Sequence, residues 1–196
     1  SDALTTPLVM GAAGQVGLDS TMPWLMNNVL GTKFKVVAGY KGGNEIDLAM
    51  ERGEVFGRGG QSWDGWKVTR PDWVRDKKIN ILVQIGLTPM KDIPGVPLVL
   101  DLAKNEEQRQ ILELFSDTVA IGRPLVAGPH VSAERVKILR DAFRATMSDK
   151  LFLEDAKKSG YEVAPIFGED LQALIVRLMT TSPKIAAEAQ KAIEAK

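Results

Sequence analysis

PLVMGAAGQVG, residues 7–17, is a short apolar run that gives out into glycine, and the same change recurs twice further along the chain. Gly39-Tyr40-Lys41-Gly42-Gly43-Asn44 follows the run Phe34 to Ala38, and Gly57-Arg58-Gly59-Gly60-Gln61-Ser62 follows Val55-Phe56. Each cluster leads into a stretch with helical spacing of apolar residues. Pro7 to Met10 reads as a strand ending at Gly11. Ser20 or Thr21 caps a helix with Pro23 in its first turn, running through Trp24, Leu25, Val29 and Leu30 and stopping at Gly31. Phe34 to Ala38 is the next strand. Asn44 caps a helix through Ile46, Leu48 and Met50 that stops at Gly53, and Val55-Phe56 begins a third strand. Strand and helix alternating at this pitch predict βαβ units and a largely parallel sheet. A glycine-rich turn entering a helix exposes N–H groups that have no partner inside the helix. With the positive end of the helix dipole, they form a site for a carboxylate or phosphate. Turns at one edge of a parallel sheet would join into one anion-binding wall.

Beyond residue 62 the pattern changes. Trp63, Trp66 and Trp73 fall before and after Pro71, where Asp72 can cap a short helix. Ile79 to Gly86 (INILVQIG) is a continuous apolar run and carries the strongest buried-strand signal in the chain. Pro89, Pro94, Gly95 and Pro97 predict an irregular connection. Asn105 to Phe115 is an amphipathic helix, and Thr118 to Gly128 an extended crossing. Ser132 caps a helix carrying Val136, Leu139, Phe143 and Met147. Leu151 to Ser159 is a helix, Tyr161 to Pro165 a short strand, and Gly168 to Met179 and Pro183 to Ala195 are the closing helices. Residues 130–196 hold too few strands for a sheet of their own, so the strands they should cover are expected in missing sequence or in a partner chain.

Composition removes several classes. With 25 basic and 25 acidic residues the formal charge is zero, which argues against a general nucleic-acid binder. No cysteine is present, which excludes a thiolate nucleophile, a cysteine zinc site and a disulfide. No apolar run is long enough to span a bilayer. No metal-ligand spacing and no cofactor signature are found: Gly11–Gly17 lacks the Lys-Ser/Thr of a phosphate-binding loop and has the wrong spacing for a dinucleotide fingerprint. The chain opens Ser1-Asp2-Ala3 with neither a basic nor an apolar leader segment. Either a signal has been removed or the chain is a piece of a longer one.

The ordered set of Gly11–Gly17, Tyr40-Lys41-Gly42, Arg52-Gly53-Glu54-Val55, Asp92-Ile93-Pro94-Gly95-Val96-Pro97 and Leu125-Val126-Ala127-Gly128-Pro129 resembles the extracytoplasmic solute receptors of tripartite tricarboxylate transporters, the Bug or TctC-like family. Two departures stand out. Family members carry a further stretch ahead of the position of Ser1, and Phe56-Gly57 stands where many have Asp. The resemblance implies an α/β, type II periplasmic-binding-protein-like fold. One complete ligand-binding lobe would cover 7–125, and 126–196 would be the helical C-terminal part of the other, truncated lobe. It further implies a periplasmic protein that closes on a small organic anion, a dicarboxylate or aromatic acid, and hands it to membrane transporter subunits. Half a lobe would leave apolar helix faces bare, so either a homo-dimer through the truncated lobe or a rearrangement of the C-terminal helices is also expected.

The candidate ligand contacts are Gly14, Gln15, Gly17 and Ser20 in the first turn, Tyr40, Lys41 and Gly42 in the second, and Arg58, Gly60, Gln61 and Ser62 in the third. Each has a plain alternative. The first turn can be an ordinary βα connection, shaped by Asp19, Ser20 and Thr21. Lys41 can be a solvated charge. Arg58 suits a carboxylate because its fork pairs two oxygens, or it can form a salt bridge with Glu54 or Asp64. Trp63 and Trp66 can close a pocket or pack on a helix face. His130 has no Asp or Ser arrangement around it in sequence, so no acid–base chemistry is assigned. The leading reading is a receptor that binds without reaction. An effector-sensing domain of a regulator would need a basic helix-turn-helix, and an α/β enzyme would need a phosphate signature or a general base; neither is evident.

Overall fold

The computed structural model describes residues 2–161 and 163–195. Its sheet has three parallel strands in the order β2-β1-β3: β1 at Leu8–Ala12, β2 at Phe34–Ala38 and β3 at Gly57–Arg58. Leu8 pairs with Phe34 and Ala12 with Ala38 on one side of β1, and Met10 with Gly57 and Gly11 with Arg58 on the other. The helices are α1 (Asp2–Thr5), α2 (Leu18–Leu30), α3 (Gly43–Glu51), α4 (Trp63–Thr69), α5 (Pro71–Arg75), α6 (Glu106–Ile121), α7 (Ala133–Ser148), α8 (Lys150–Lys158), α9 (Gly168–Met179) and α10 (Pro183–Ala192), with a 3-10 turn at Val99–Leu102. The fold is thus mixed α/β around a small parallel sheet.

Alternation along β1 separates two cores. Met10 points into a cluster with Met22, Leu25, Met26, Val29 and Leu30 of α2. Its neighbour Val9 points the other way, against Ile46 and Ala49 of α3 and Val55. Successive strand residues face opposite sides of a sheet, so α2 and α3 cover opposite faces. That is the doubly wound arrangement, in which the chain moves from β1 to β2 and then back across β1 to β3.

Several expectations are corrected. Ile79–Gly86 is not a ladder strand: only Gln84 makes a bridge, to Leu98. Val83 and Ile85 lean on the main core while Leu82 is half exposed, so the run is buried on one side by helices without a strand beside it. Among the described residues Tyr161–Pro165 forms no strand, and Glu162 within it lies outside them. The second helix starts at Leu18, earlier than the Ser20 or Thr21 cap predicted, because Gly17 O accepts the Ser20 and Thr21 hydroxyls and amides. The third starts at Gly43, with Gly42 and not Asn44 as its cap. Pro71 opens α5 after Arg70, so Asp72 lies inside it. Helix α6 continues to Ile121, taking in the start of the expected extended crossing. Ser132 does cap α7, accepting from the Arg135 amide, and Asn105, expected as the first residue of its helix, instead caps α6 by accepting from the Gln108 amide.

The C-terminal helices divide. Ile185, Ala189 and Ala192 of α10 lie in the same core cluster as α2 and α6, across the boundary expected between residues 125 and 126. Asn28 fixes the end of α10, donating to the Ala192 carbonyl at 2.9 Å. Helix α9 buries Leu174 and is tied to α6 by the ion pair of Arg177 with Asp117. Helices α7 and α8 bury no residue. Phe143 meets Phe167 edge to face at 6.4 Å, and Arg144 reaches Glu169 at 3.1 Å, which joins α7 to the start of α9.

Candidate functional site

Parallel strands place their C-terminal ends at one edge, so all three glycine turns open there. In a doubly wound sheet the crevice lies where the strand order reverses, here between β1 and β3. The turn after β3 bears directly on the helix that follows β1. A side chain at Gly59 would meet Pro23 Cδ at 2.9 Å and the Leu18 carbonyl at 3.2 Å. Gly60 sits at φ +72, and a Cβ there would strike Leu18 and lie 2.9 Å from the Asp19 nitrogen. Only glycine serves at Gly60, on both the left-handed backbone and the close approach. The second turn is reached through Arg58, whose guanidinium lies against Gly43 at the start of α3. The β3 turn therefore touches the first turns of both α2 and α3, and the three clusters form one continuous wall.

The main-chain donors on this wall are partly used and partly open. Asp19 Oδ2 accepts from the Ala13 amide at 2.6 Å, and Glu45 Oε2 from the Lys41 amide at 2.8 Å. A carboxylate in the first turn of a helix is favoured by the dipole, so each helix supplies its own anion to one amide of the turn ahead of it. The amides of Gly14, Gln15, Val16, Gly17 and Leu18 have no acceptor among the described residues, and neither do those of Gly42, Gly43 and Asn44. No carbonyl or side chain of the described residues occupies these donors.

The side chains named from the sequence fare differently. Ser20 is fully buried and donates to the Gly17 carbonyl, so it braces the turn. Ser62 caps α4, accepting from the Gly65 amide at 3.0 Å. The Tyr40 ring packs with Ile46, Ala49 and Val55 and lies 3.4 Å from a Cβ built on Gly11. Lys41 is 90% exposed and lies 3.8 Å from Glu45, the solvated alternative read from the sequence. Gln15 is exposed at the tip of the first turn. Trp66 stacks on Trp73 with centroids 5.5 Å apart, which is packing within the α4–α5 pair.

Arg58 has a partner that sequence reasoning missed. Its Nη1 lies 2.8 Å from Asp47 Oδ1 and its Nη2 donates to Gln61 Oε1 at 3.3 Å. Its side chain is 10% exposed and that of Asp47 2%, and the Trp66 ring lies 5.7 Å beneath the guanidinium. Neither expected partner is used: Glu54 pairs with Arg52, and Asp64 with Lys67. Arg70 also approaches Asp47, at 3.6 Å, and stands over Trp73. The only sequence signal for Asp47 is a charge beside Ile46 on the inner side of α3.

A second set of charges fixes the irregular connection under α4. Lys67 Nζ lies 2.7 Å from Asp64 and 2.9 Å from Asp92. Hydrogen bonds to Asp64 and then Asp92 raise the Lys67 ammonium above its ordinary range, and the bond from Lys67 lowers the Asp92 carboxyl. Gln84, buried inside the connection, donates to the Val96 carbonyl and accepts from the Met90 amide. Two broad concavities lie away from the glycine edge: about 920 Å³ between α2, α6 and α10, and about 470 Å³ between α7, α8, Tyr161 and residues 163–165. Among the described residues no group of acidic and histidine side chains has metal-binding geometry, and no helix is long and apolar enough to cross a membrane.

No protein-family model and no curated protein matches the chain. A solved structure of R. palustris Rpa4515 with adipate is similar in fold, with a TM-score of 0.55 over 96% of this chain at 14% sequence identity. The chain spans 58% of that protein's length.

Proposed function

We propose that this chain is the ligand-binding part of a solute receptor, holding an organic anion through main-chain amides without transforming it. The observation that carries this reading is the joining of three glycine turns along the C-terminal edge of a parallel sheet, the first and third of them at its switch point, with the Gly14 to Leu18 amides open. The fold shared with a protein solved with adipate supports a dicarboxylate as the ligand class; an aromatic acid is the other candidate. The basic and acidic side chains along the wall are engaged with one another, which suits a site that discriminates by geometry more than by bulk charge. In the finer form of the proposal the chain belongs to the tripartite tricarboxylate transporter receptors, works in the periplasm and delivers its ligand to membrane subunits. The lobe built on the sheet then includes α10, and the bare face of α7 and α8 belongs to the second lobe or to a partner, a second copy included.

Thermal unfolding with adipate, shorter and longer dicarboxylates and benzoate tests the class. A ligand that binds only the folded state at a hundred times its Kd adds about 2.7 kcal/mol to stability. The expected result is a saturable rise in Tm with one of these acids and none with 1,6-hexanediol, accompanied by amide NMR shifts at Gly14 to Leu18 and no turnover. A folded chain whose Tm and amide positions ignore every acid would overturn the proposal.

A further inference from the structure

We propose that Arg58 is a positioning residue for the anion site: anchored on Asp47, it sets the Gly59–Gly60 backbone against the first turn of α2. This rests on the receptor reading and assigns the guanidinium a role other than touching ligand. Arg58 closes β3, and the two residues after it make the close approach to Leu18 and Asp19. The guanidinium is enclosed by Asp47, Gln61, the Trp66 ring and the Gly43 backbone, and its side chain is nine-tenths buried. A group held on so many sides moves only if its neighbours move. Gly43 opens α3 and Leu18 opens α2, so the chain between Arg58 and Gly60 connects two helix starts whose amides have no acceptor among the described residues. The absence of a side chain at Gly43 is part of the arrangement, because a Cβ there would fall 2.6 Å from Nη2 and 2.9 Å from Cζ.

That contact supplies a test. Gly43 has no left-handed φ and begins a helix, so alanine fits its backbone and favours the helix. Gly43→Ala displaces the guanidinium without removing a charge or a hydrogen-bonding group. The expected result is a loss of adipate affinity on the order of tenfold, the scale for residues that act on a site they do not touch. It should come with shifted Leu18, Gly59 and Gly60 amide resonances in the ligand-free protein and a Tm lowered by the displacement of a buried pair. A merely structural pair would lower Tm and leave affinity alone. Unchanged affinity, or weakened affinity with those three amides unmoved, overturns the proposal. Arg58→Lys keeps a cation for Asp47 but loses the two-point grip, and should move the same amides. If the parent chain takes up neither adipate nor any of the other acids, the receptor reading falls by itself, and the amide shifts alone then decide whether Arg58 sets this backbone.

Discussion

Helices α2 and α7 are both amphipathic, yet α2 is the centre of the main core and α7, though longer, buries nothing. Leu25 of α2 is 1% exposed, whereas Ile138 and Leu139 of α7 are 59% and 58% exposed. The difference is one of partners. Helix α2 has the sheet beneath it and α6 and α10 beside it; α7 has α8 and the start of α9. An apolar stripe states that a helix has a face to cover, not that the cover is at hand. The same contrast separates a buried ion pair, Arg58–Asp47, from solvated ones such as Lys137–Asp141.

The largest effect expected along this contrast is at Asp47. Removing one partner of a buried pair leaves the other charge without compensation, so Asp47→Ala should cost about 3–5 kcal/mol in urea unfolding, while Asp141→Ala should leave the urea midpoint almost unchanged. Equal costs would mean that the Arg58 pair is hydrated in solution. Next come the apolar faces. Leu25→Ala should destabilise by about 2–5 kcal/mol from lost packing and the cavity left behind, and Leu139→Ala by under about 0.5 kcal/mol. A large cost at Leu139 would reveal that something covers α7 in solution. The smallest effect is with pH. Lys137 lowers the Asp141 carboxyl, and the Glu169 carboxyl is lowered by its own backbone N–H and then by Arg140 and Arg144. A depressed carboxyl stabilises the folded chain above its ordinary pKa, and that contribution is lost as pH falls through the depressed value. Hydrogen-exchange protection of α7 and the start of α9 should therefore decline with acid before that of α2, whose packing is apolar. Simultaneous loss in all three would erase the contrast.

Local signals were legible where one residue decides the outcome. Gly31 ends α2, Ser132 caps α7, and the first two glycine turns fall at strand ends, whereas the third strand is Gly57–Arg58 and not the expected Val55-Phe56. The INILVQIG run misled because a strand exists only beside another strand. That neighbour is a property of the whole fold, and here only Leu98 arrives, opposite Gln84. The convergence of the turns was anticipated from the alternation of strands and helices. Which amides stay open was not, because Asp19 and Glu45 fold back onto Ala13 and Lys41 through side-chain geometry that spacing does not encode. Asp47 went unseen for a related reason: its partner lies on the following strand, and nothing in α3 announces it.

The strand order has one more consequence. With β1 in the middle, β2 is a five-residue border whose outer N–H and C=O groups meet no ladder among the described residues. Such a border is a template on which another polypeptide can add. Lys35 stands exposed within it, and Lys33 just before it with its ammonium 3.4 Å from the Thr5 carbonyl. Together they would set like charge against like charge if two copies approached edge to edge along this margin.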